Sequence, residues 1–213
     1  MIRKHLKLLI ITSVIILLPI VVGIVLWEQL PEQIPMHWNA AGDVDGWGSK
    51  PFFVFALPFI LLALQWFAIA VTVSDPKKAN HQKKILQLSF WIIPVLSWLL
   101  HAITYATAFG KAVEIEVILP VFMGLLFAVI GNYLPKCKQS YTIGIKIPWT
   151  LHSEENWNRT HRLAGWLWMV GGIIIALLGL LNLFGIAYLF FSIALVMVLV
   201  PLIYSYILHR KGV

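Results

Sequence analysis

Five long uncharged runs dominate the chain: Leu8 to Trp27, Pro51 to Ser74, Ile85 to Gly110, Val117 to Pro135 and Leu163 to His209. Each reaches the roughly 18 to 20 residues that a helix needs to cross hydrocarbon. The last holds 47 residues, more than twice what a roughly 30 Å core accepts at about 1.5 Å per residue. It therefore divides into two spans, with Asn182 and Gly185 in LLNLFGIA as the expected turn residues, because both tolerate left-handed backbone. The pattern predicts an all-α polytopic membrane protein of six helices. The opening MIRKHLK and its apolar run exceed a signal-peptide core, and no A-x-A site follows, so this segment is read as a retained first span.

Composition agrees: 60% of residues are hydrophobic and 12% charged, too little polar surface to cover a soluble globule of this size. The basic residues divide unequally among the loops. Arg3, Lys4 and Lys7, then Lys77, Lys78, Lys83 and Lys84, then Lys136, Lys138, Lys146, Arg159 and Arg162, then Arg210 and Lys211 all fall on one side. Only Lys50 and Lys111 fall on the other, so the positive-inside rule predicts that both termini are cytoplasmic. The net charge of +7 is then a topology signal, and no direct nucleic-acid partner is expected. Cys137 is the single cysteine, which excludes an intramolecular disulfide and places the thiol on the reducing side.

Two loops are too long to be mere connectors. The first, ELPEQIPMHWNAAGDVDGWGSKP from Glu28, is predicted to face outward. Pro31 and Pro35 forbid a continuous helix and Gly42, Gly46 and Gly48 punctuate turns, so a shaped loop and not a helix is expected. Glu32, His37, Trp38, Asp43, Asp45 and Trp47 give it an acidic, aromatic face suited to a cationic or amphipathic peptide. Asp43-Val-Asp45 invites a calcium reading, but the twelfth position of such a loop is Val54 rather than Glu, so no metal is expected.

The second, residues 136–162, is predicted to be cytoplasmic. Its SYTIGIKIPW reads as an extended strap against the bilayer, with Pro148 stopping any helix there. Ser153, Glu154 and Glu155 read as a helix start that runs into the fifth span. Along that helix Trp157, His161, Ala164 and Trp168 form one stripe facing other helices or the membrane interface, while Glu155 and Arg159 pair at i,i+4. His152 and His161 are nine residues apart, opposite one another on an ideal helix, which argues against a zinc site of the H-E-x-x-H kind.

Inside the spans, Gln65 and His101 are expected to bond to each other across the second and third helices, either as an interhelical clamp or as part of a transport path. Gly172, Ala176 and Gly179 recur at close-packing intervals and read as a packing seam. Neither a nucleophile elbow nor a phosphate-binding glycine loop is present, so catalysis and cofactors are not expected. The expected organisation is a two-span unit over residues 1–74, carrying the outer loop, followed by a four-span unit over 75–213 with the loop 136–162.

The residues Leu30, Pro31, Ile34, Pro35, His37, Trp38, Gly42, Ser49, Lys50 and Pro51 resemble a bacterial membrane-domain pattern, LP-x-x-IP-x-HW then G then SKP. Gly131, Asn132, Tyr133, Lys138, Ile143, Gly144, Pro148, Trp149, Thr150, Ser153, Trp157, Thr160, His161, Arg162 and Gly165 are similar to the signature of the SdpI family. The chain departs from that signature at Lys146-Ile147, where Arg-Thr is expected, and at Gln139-Ser140, where Pro-Asn is common. Lys keeps the charge but loses the planar fork of Arg. The resemblance implies a six-span protein of the bacterial cell membrane that confers immunity to a secreted peptide toxin. It also implies signalling, by holding an ArsR-like transcriptional repressor at the membrane. Membrane lipids and that toxin are thus the expected partners. Glu32, His37, Trp38, Asp43, Asp45 and Trp47 are the candidate toxin contacts. Lys146, Trp149, Glu155, Trp157, Arg159, His161 and Arg162 are the candidate signalling residues. The competing reading is a small-molecule or ion transporter using His101 and Gln65.

Overall fold

The computed structural model describes the backbone of residues 2–182 and 186–213. Its helices are α1 (Ile2–Val25), α2 (Leu57–Val73), α3 (Lys83–Ala108), α4 (Ile115–Tyr133), α5 (Pro148–His152), α6 (Glu154–Leu180) and α7 (Ile186–Arg210). All but α5 are long and apolar enough to span a membrane, the second span including a π-helical turn over Phe52–Ala56 that leads into α2. The six expected spans are therefore present. Asn182 adopts the expected left-handed backbone, φ 44°; Gly185 lies outside the described residues.

Prolines inside spans leave carbonyls without their intrahelical donors, a costly state in hydrocarbon. Pro19 frees the Ile15 carbonyl of α1, which accepts the Trp98 indole N–H at 3.0 Å. Pro201 frees the Met197 carbonyl of α7, and the Trp168 indole N–H bonds to it at 3.0 Å. In each case a tryptophan on another helix replaces the missing donor and ties the two helices together.

The helices divide into two compact units, Met1–Val73 with Leu86–Ile115, and Ser74–Ile85 with Glu116–Val213. In the first, two apolar clusters stand at different depths: Leu30, Ile34, Phe53, Val54 and Tyr105 near the loop between α1 and α2, and Leu9, Ile69, Leu86 and Phe90 toward the other end. In the second, α4 and α6 approach through glycine. A Cβ at Gly124 would lie 2.5 Å from the Ala176 nitrogen, and one at Gly172 2.5 Å from the Ala128 nitrogen. At Gly179 it would meet Val121 at 3.0 Å. The spacing of Gly172, Ala176 and Gly179 is thus a packing seam, where small residues let backbones meet.

The loop after α1 is shaped and non-helical, as expected, and its shape is a β-hairpin of β1 (Gln33–Trp38) and β2 (Val44–Ser49) paired antiparallel, with irregular register around His37. Pro35 is tolerated because a two-stranded ribbon is all edge. The Asn39 side-chain oxygen accepts the Ala41 and Asp43 amides at 2.8 and 3.1 Å, and Gly42 turns at φ 86°. Along β2 Val44, Gly46 and Gly48 are half-buried while Asp45, Trp47 and Ser49 are exposed, the two-residue alternation of a strand with one covered face.

Candidate functional site

In the second unit the chemistry gathers on the strap between α4 and α6. Residues 140–147 are non-helical as expected, but Pro148 opens the short helix α5 rather than excluding one. Proline suits a first helical position, where its missing N–H is not needed. His152 closes α5 and therefore does not share a helix with His161, since Ser153 caps α6 by accepting the Asn156 amide at 3.1 Å.

The strap lies on protein and not, as its isoleucines imply, simply on lipid. Ile143 packs against Ile85, Cys137 and Trp157. The Ile145 amide donates to His161 Nε2 at 2.8 Å, while His161 Nδ1 donates to the Trp157 carbonyl at 2.8 Å. A carbonyl only accepts, so this histidine is the neutral tautomer with its proton on Nδ1. Trp157 is fully buried, stacks on His161 with centroids 4.0 Å apart and donates its indole N–H to the Cys137 carbonyl at 2.7 Å. Gly144 makes this possible. Its φ is +119°, and a Cβ there would stand 2.6 Å from His161 Nε2 and 2.7 Å from the Trp157 ring.

The other end of the strap is held by Asp75, in the segment between α2 and α3. Asp75 Oδ2 accepts the Ser140 hydroxyl at 2.7 Å, the Thr142 hydroxyl at 2.7 Å and the Tyr141 amide at 3.0 Å. Its Oδ1 accepts the Lys77 amide at 2.7 Å, and His81 Nε2 lies 3.2 Å from Oδ2. Burial alone would raise this carboxyl's pKa. The hydrogen bonds from Thr142, Ser140, the Lys77 backbone and His81 outweigh that and hold it well below the usual carboxylate range. Gln139 extends the knot: its Nε2 donates to the Thr150 and Leu151 carbonyls at 2.8 and 3.0 Å, its carbonyl accepts Asn80 Nδ2 at 2.7 Å, and its Oε1 accepts Lys77 Nζ.

Asp75, His81 and Ser140 carry the residue types of a hydrolytic triad but not its geometry. There, one imidazole nitrogen faces the carboxylate and the other the hydroxyl. Here Asp75, Ser140 and Thr142 all meet the same nitrogen, His81 Nε2, while His81 Nδ1 has no protein partner among the described residues. The Ser140 hydroxyl, 1% exposed, is itself committed to Asp75. The arrangement orients a strap. Burial likewise pushes the Cys137 thiol up to about 11, out of the range of a reactive cysteine.

Of the candidate signalling residues, Trp157 and His161 are brought together under the strap. Glu155 and Arg159 pair at 2.5 Å on the exposed side of α6, the side on which Arg162 is also exposed. Lys146 donates to the Thr142 carbonyl at 3.1 Å, and Trp149 packs on Tyr206 at 5.0 Å and on His209 at 6.1 Å.

In the first unit, the hairpin separates the candidate toxin contacts. His37 Nδ1 and Asp45 Oδ1 meet at 2.5 Å on its exposed side, with Trp47 58% exposed and Asp43 also open to solvent. Trp38 ends β1 half-buried. Glu32 pairs with Lys50 at 2.8 Å. Lys50 is 5% exposed, lies 4.7 Å from the Trp27 ring centroid and donates to the Trp27 and Leu30 carbonyls. It fastens the hairpin base.

Gln65 and His101 do not bond to each other. Gln65 Nε2 donates to Thr12 on α1 at 2.6 Å, and His101 Nδ1 donates to the Ser97 carbonyl on its own helix at 2.7 Å. Each finds a nearer partner.

Comparison with known proteins follows the same two regions. Residues 136–205 match the SdpI/YfhL protein family, and residues 14–62 match a domain of unknown function, DUF1648. The chain is 30% identical over 169 residues to the immunity protein SdpI of Bacillus subtilis (strain 168), covering 79% of this chain and 80% of that protein. The chain belongs to the SdpI family. With six spanning helices it is a multi-pass protein of the bacterial cell membrane. No solved structure matches it. Among SdpI-family features, Gly144, Trp157 and His161 now have a joint physical role. Gln139 and Ser140, the departure from the expected signature, are the residues that tie the strap to the Asp75 segment. Sequence reasoning missed Asp75 and His81; the one signal was a lone acid amid the lysines of SDPKKANHQKK.

Proposed function

We propose that this protein confers immunity to a secreted peptide toxin at the bacterial cell membrane. The observation that carries this is the 30% identity to the immunity protein SdpI across four fifths of both chains. The toxin would meet the hairpin, taken to face outward from the basic-residue asymmetry, where Asp43, Asp45, His37 and Trp47 are exposed. Acidic and aromatic groups on a rigid two-stranded ribbon suit a cationic or amphipathic peptide, because the ribbon adds little ordering cost on binding.

The finer proposal is that loop 136–162, on the cytoplasmic side, also recruits an ArsR-like repressor. It is supported by the rigid seat that Trp157 and His161 give the start of α6, beneath an exposed Glu155, Arg159 and Arg162 stripe. The competing transporter reading rests on Gln65 and His101. A cation path there is disfavoured, since every acidic residue of that unit lies in a loop and an uncompensated charge in hydrocarbon is costly.

Expression in a toxin-sensitive host challenged with candidate secreted peptides tests the proposal. Survival at concentrations that kill the empty-vector strain is expected; sensitivity to every peptide at confirmed membrane abundance would overturn it.

A further inference from the structure

The hairpin that carries Asp43, Asp45 and Trp47 has two long edges, and they are not alike. The Lys50 amide donates to the Glu32 carbonyl at 3.0 Å, and next along the ladder Ser49, Gly48 and Trp47 stand opposite Gln33, Ile34 and Pro35. In an antiparallel pair, residues that exchange hydrogen bonds alternate with residues whose N–H and C=O groups point away from the partner strand. Counting back from Lys50, Gly48 bonds with Ile34. Ser49 and Trp47 turn their backbone groups away from β1, and Gln33 and Pro35 turn theirs away from β2. The register is regular over these residues and shifts only beyond Pro35.

Pro35 fits this phase, because its nitrogen carries no proton and lies on the outer side of β1, where no ladder bond is lost. Pro35 and its neighbour Ile34 are also buried, Ile34 within the cluster of Leu30, Phe53, Val54 and Tyr105. The outer edge of β1 is therefore short of a donor and covered, and both features oppose further strand pairing. β2 has neither. Trp47 is 58% exposed and Ser49 is exposed too, and no described backbone group outside the hairpin bonds to either. Their two N–H and two C=O groups form an open row.

The charge beside that row names the partner. Glu32 is already paired with Lys50, but Asp43 is exposed, and the Asp45 side chain, though it meets His37, remains 44% exposed. A second copy of β2 would bring the same carboxylates alongside, and like charges across a strand pair are unfavourable. A basic strand is favoured for the same reason. β2 alternates, with Asp45, Trp47 and Ser49 exposed and Val44, Gly46 and Gly48 half-buried, so a strand laid beside it must alternate as well. Basic side chains would fall beside Asp45, and apolar ones would continue the half-buried face.

We propose that β2 is a docking edge on which a cationic peptide pairs in extended form, adding a third strand through the backbone groups of Trp47 and Ser49. The proposal rests on the reading of the hairpin as the toxin-facing surface. It narrows the toxin to one that presents basic and apolar side chains in a two-residue alternation, not one that docks as a helix. Main-chain bonds supply affinity whatever the sequence, and Asp45 and Trp47 select the side chains.

The full chain in nanodiscs of zwitterionic lipid is titrated with a synthetic peptide alternating lysine and valine, and binding to empty nanodiscs is subtracted. Two further forms carry N-methyl groups on alternate amides, one at the lysines and one at the valines. In an extended strand the methyls of each form lie along a single edge. The parent peptide is expected to bind; one methylated form should bind about tenfold more weakly, through the loss of two hydrogen bonds, and the other should bind as the parent does. Methylation acting alike in both forms, or no binding above empty nanodiscs, would overturn the docking edge. Matched prolines locate the edge on the protein. Ser49→Pro removes an outward amide from β2 and should weaken binding severalfold, whereas Gln33→Pro removes one from β1 and should not. Ser49→Pro binding as tightly as the native chain would overturn the assignment, as would a native dimer that Ser49→Pro dissociates, since the edge would then serve a second copy. Survival of a toxin-challenged host is scored separately. Protection without edge pairing sinks the docking mode alone; edge pairing without protection sinks the immunity reading.

Discussion

Asp75 gathers five hydrogen-bond contacts onto one carboxylate and so holds the strap's entry against the segment before α3. Asp75→Asn keeps the shape but removes the charge, and bonds to a charged acceptor are each worth about 1.5 to 3 kcal/mol. We expect the substitution to cost about 2 kcal/mol, read as a lowered unfolding midpoint in detergent. The sign of the pH effect follows from the depressed folded pKa. Asp75's contribution is fully present above the unfolded value of about 3.9 and is lost as pH falls through the folded one. The gap between native and Asp75→Asn midpoints should therefore narrow on going from pH 7 to pH 3; a gap that widens would contradict the assignment. Gly144→Ala attacks the strap's other end, combining a φ of +119° with a Cβ 2.6 Å from His161 Nε2. It should lower the midpoint more than Ile145→Ala, which leaves the Ile145 amide and its bond to His161 intact.

At the scale of elements, α6 presents two sides with different expected duties. Trp157 and His161 seat the helix beneath the strap, whereas Glu155, Arg159 and Arg162 face solvent. Trp157→Ala should reduce immunity and repressor recruitment together, because removing a fully buried tryptophan costs about 3 to 5 kcal/mol. Arg159→Ala with Arg162→Ala should spare immunity and abolish recruitment, assayed by co-purification of the repressor with membranes. Loss of immunity in that double variant at normal membrane abundance would place the exposed stripe in the protective mechanism itself. The hairpin carries a parallel expectation. Neutralising Asp43 and Asp45 should weaken protection, and more so at low salt, because exposed charges are screened over about 10 Å at 0.1 M. Glu32 is engaged by Lys50, so its replacement should instead loosen the hairpin base.

For the whole molecule, six spans put both termini on the same side, and we propose from the distribution of basic residues that this side is the cytoplasm. A reporter active only in the cytoplasm, fused after Val213, should be active; an export-dependent reporter active at that position would invert the topology and with it the proposed faces of hairpin and strap.

Span number was legible in the sequence because hydrocarbon thickness imposes a length on every crossing helix, and the apolar runs state that length directly. The start of α6 was legible too: Ser153 and the two glutamates are a local capping signal, and local signals survive without tertiary context. So was the seam at Gly172, Ala176 and Gly179, since small residues one turn apart announce a close neighbour. The partners of buried polar groups were not legible. Gln65 and His101 looked like a pair because both are polar and deep, yet Gln65 bonds to Thr12, which only three-dimensional packing brings near, and His101 to the Ser97 carbonyl one turn back on its own helix. The β-hairpin was hidden because its prolines and glycines mark turns locally, while the pairing of Gln33–Trp38 with Val44–Ser49 is a property of two segments together. Asp75 was hidden for the same reason. In the chain it is one acid among lysines, and only the fold, by laying Ser140, Tyr141 and Thr142 over it across more than sixty residues, makes it the anchor of the strap.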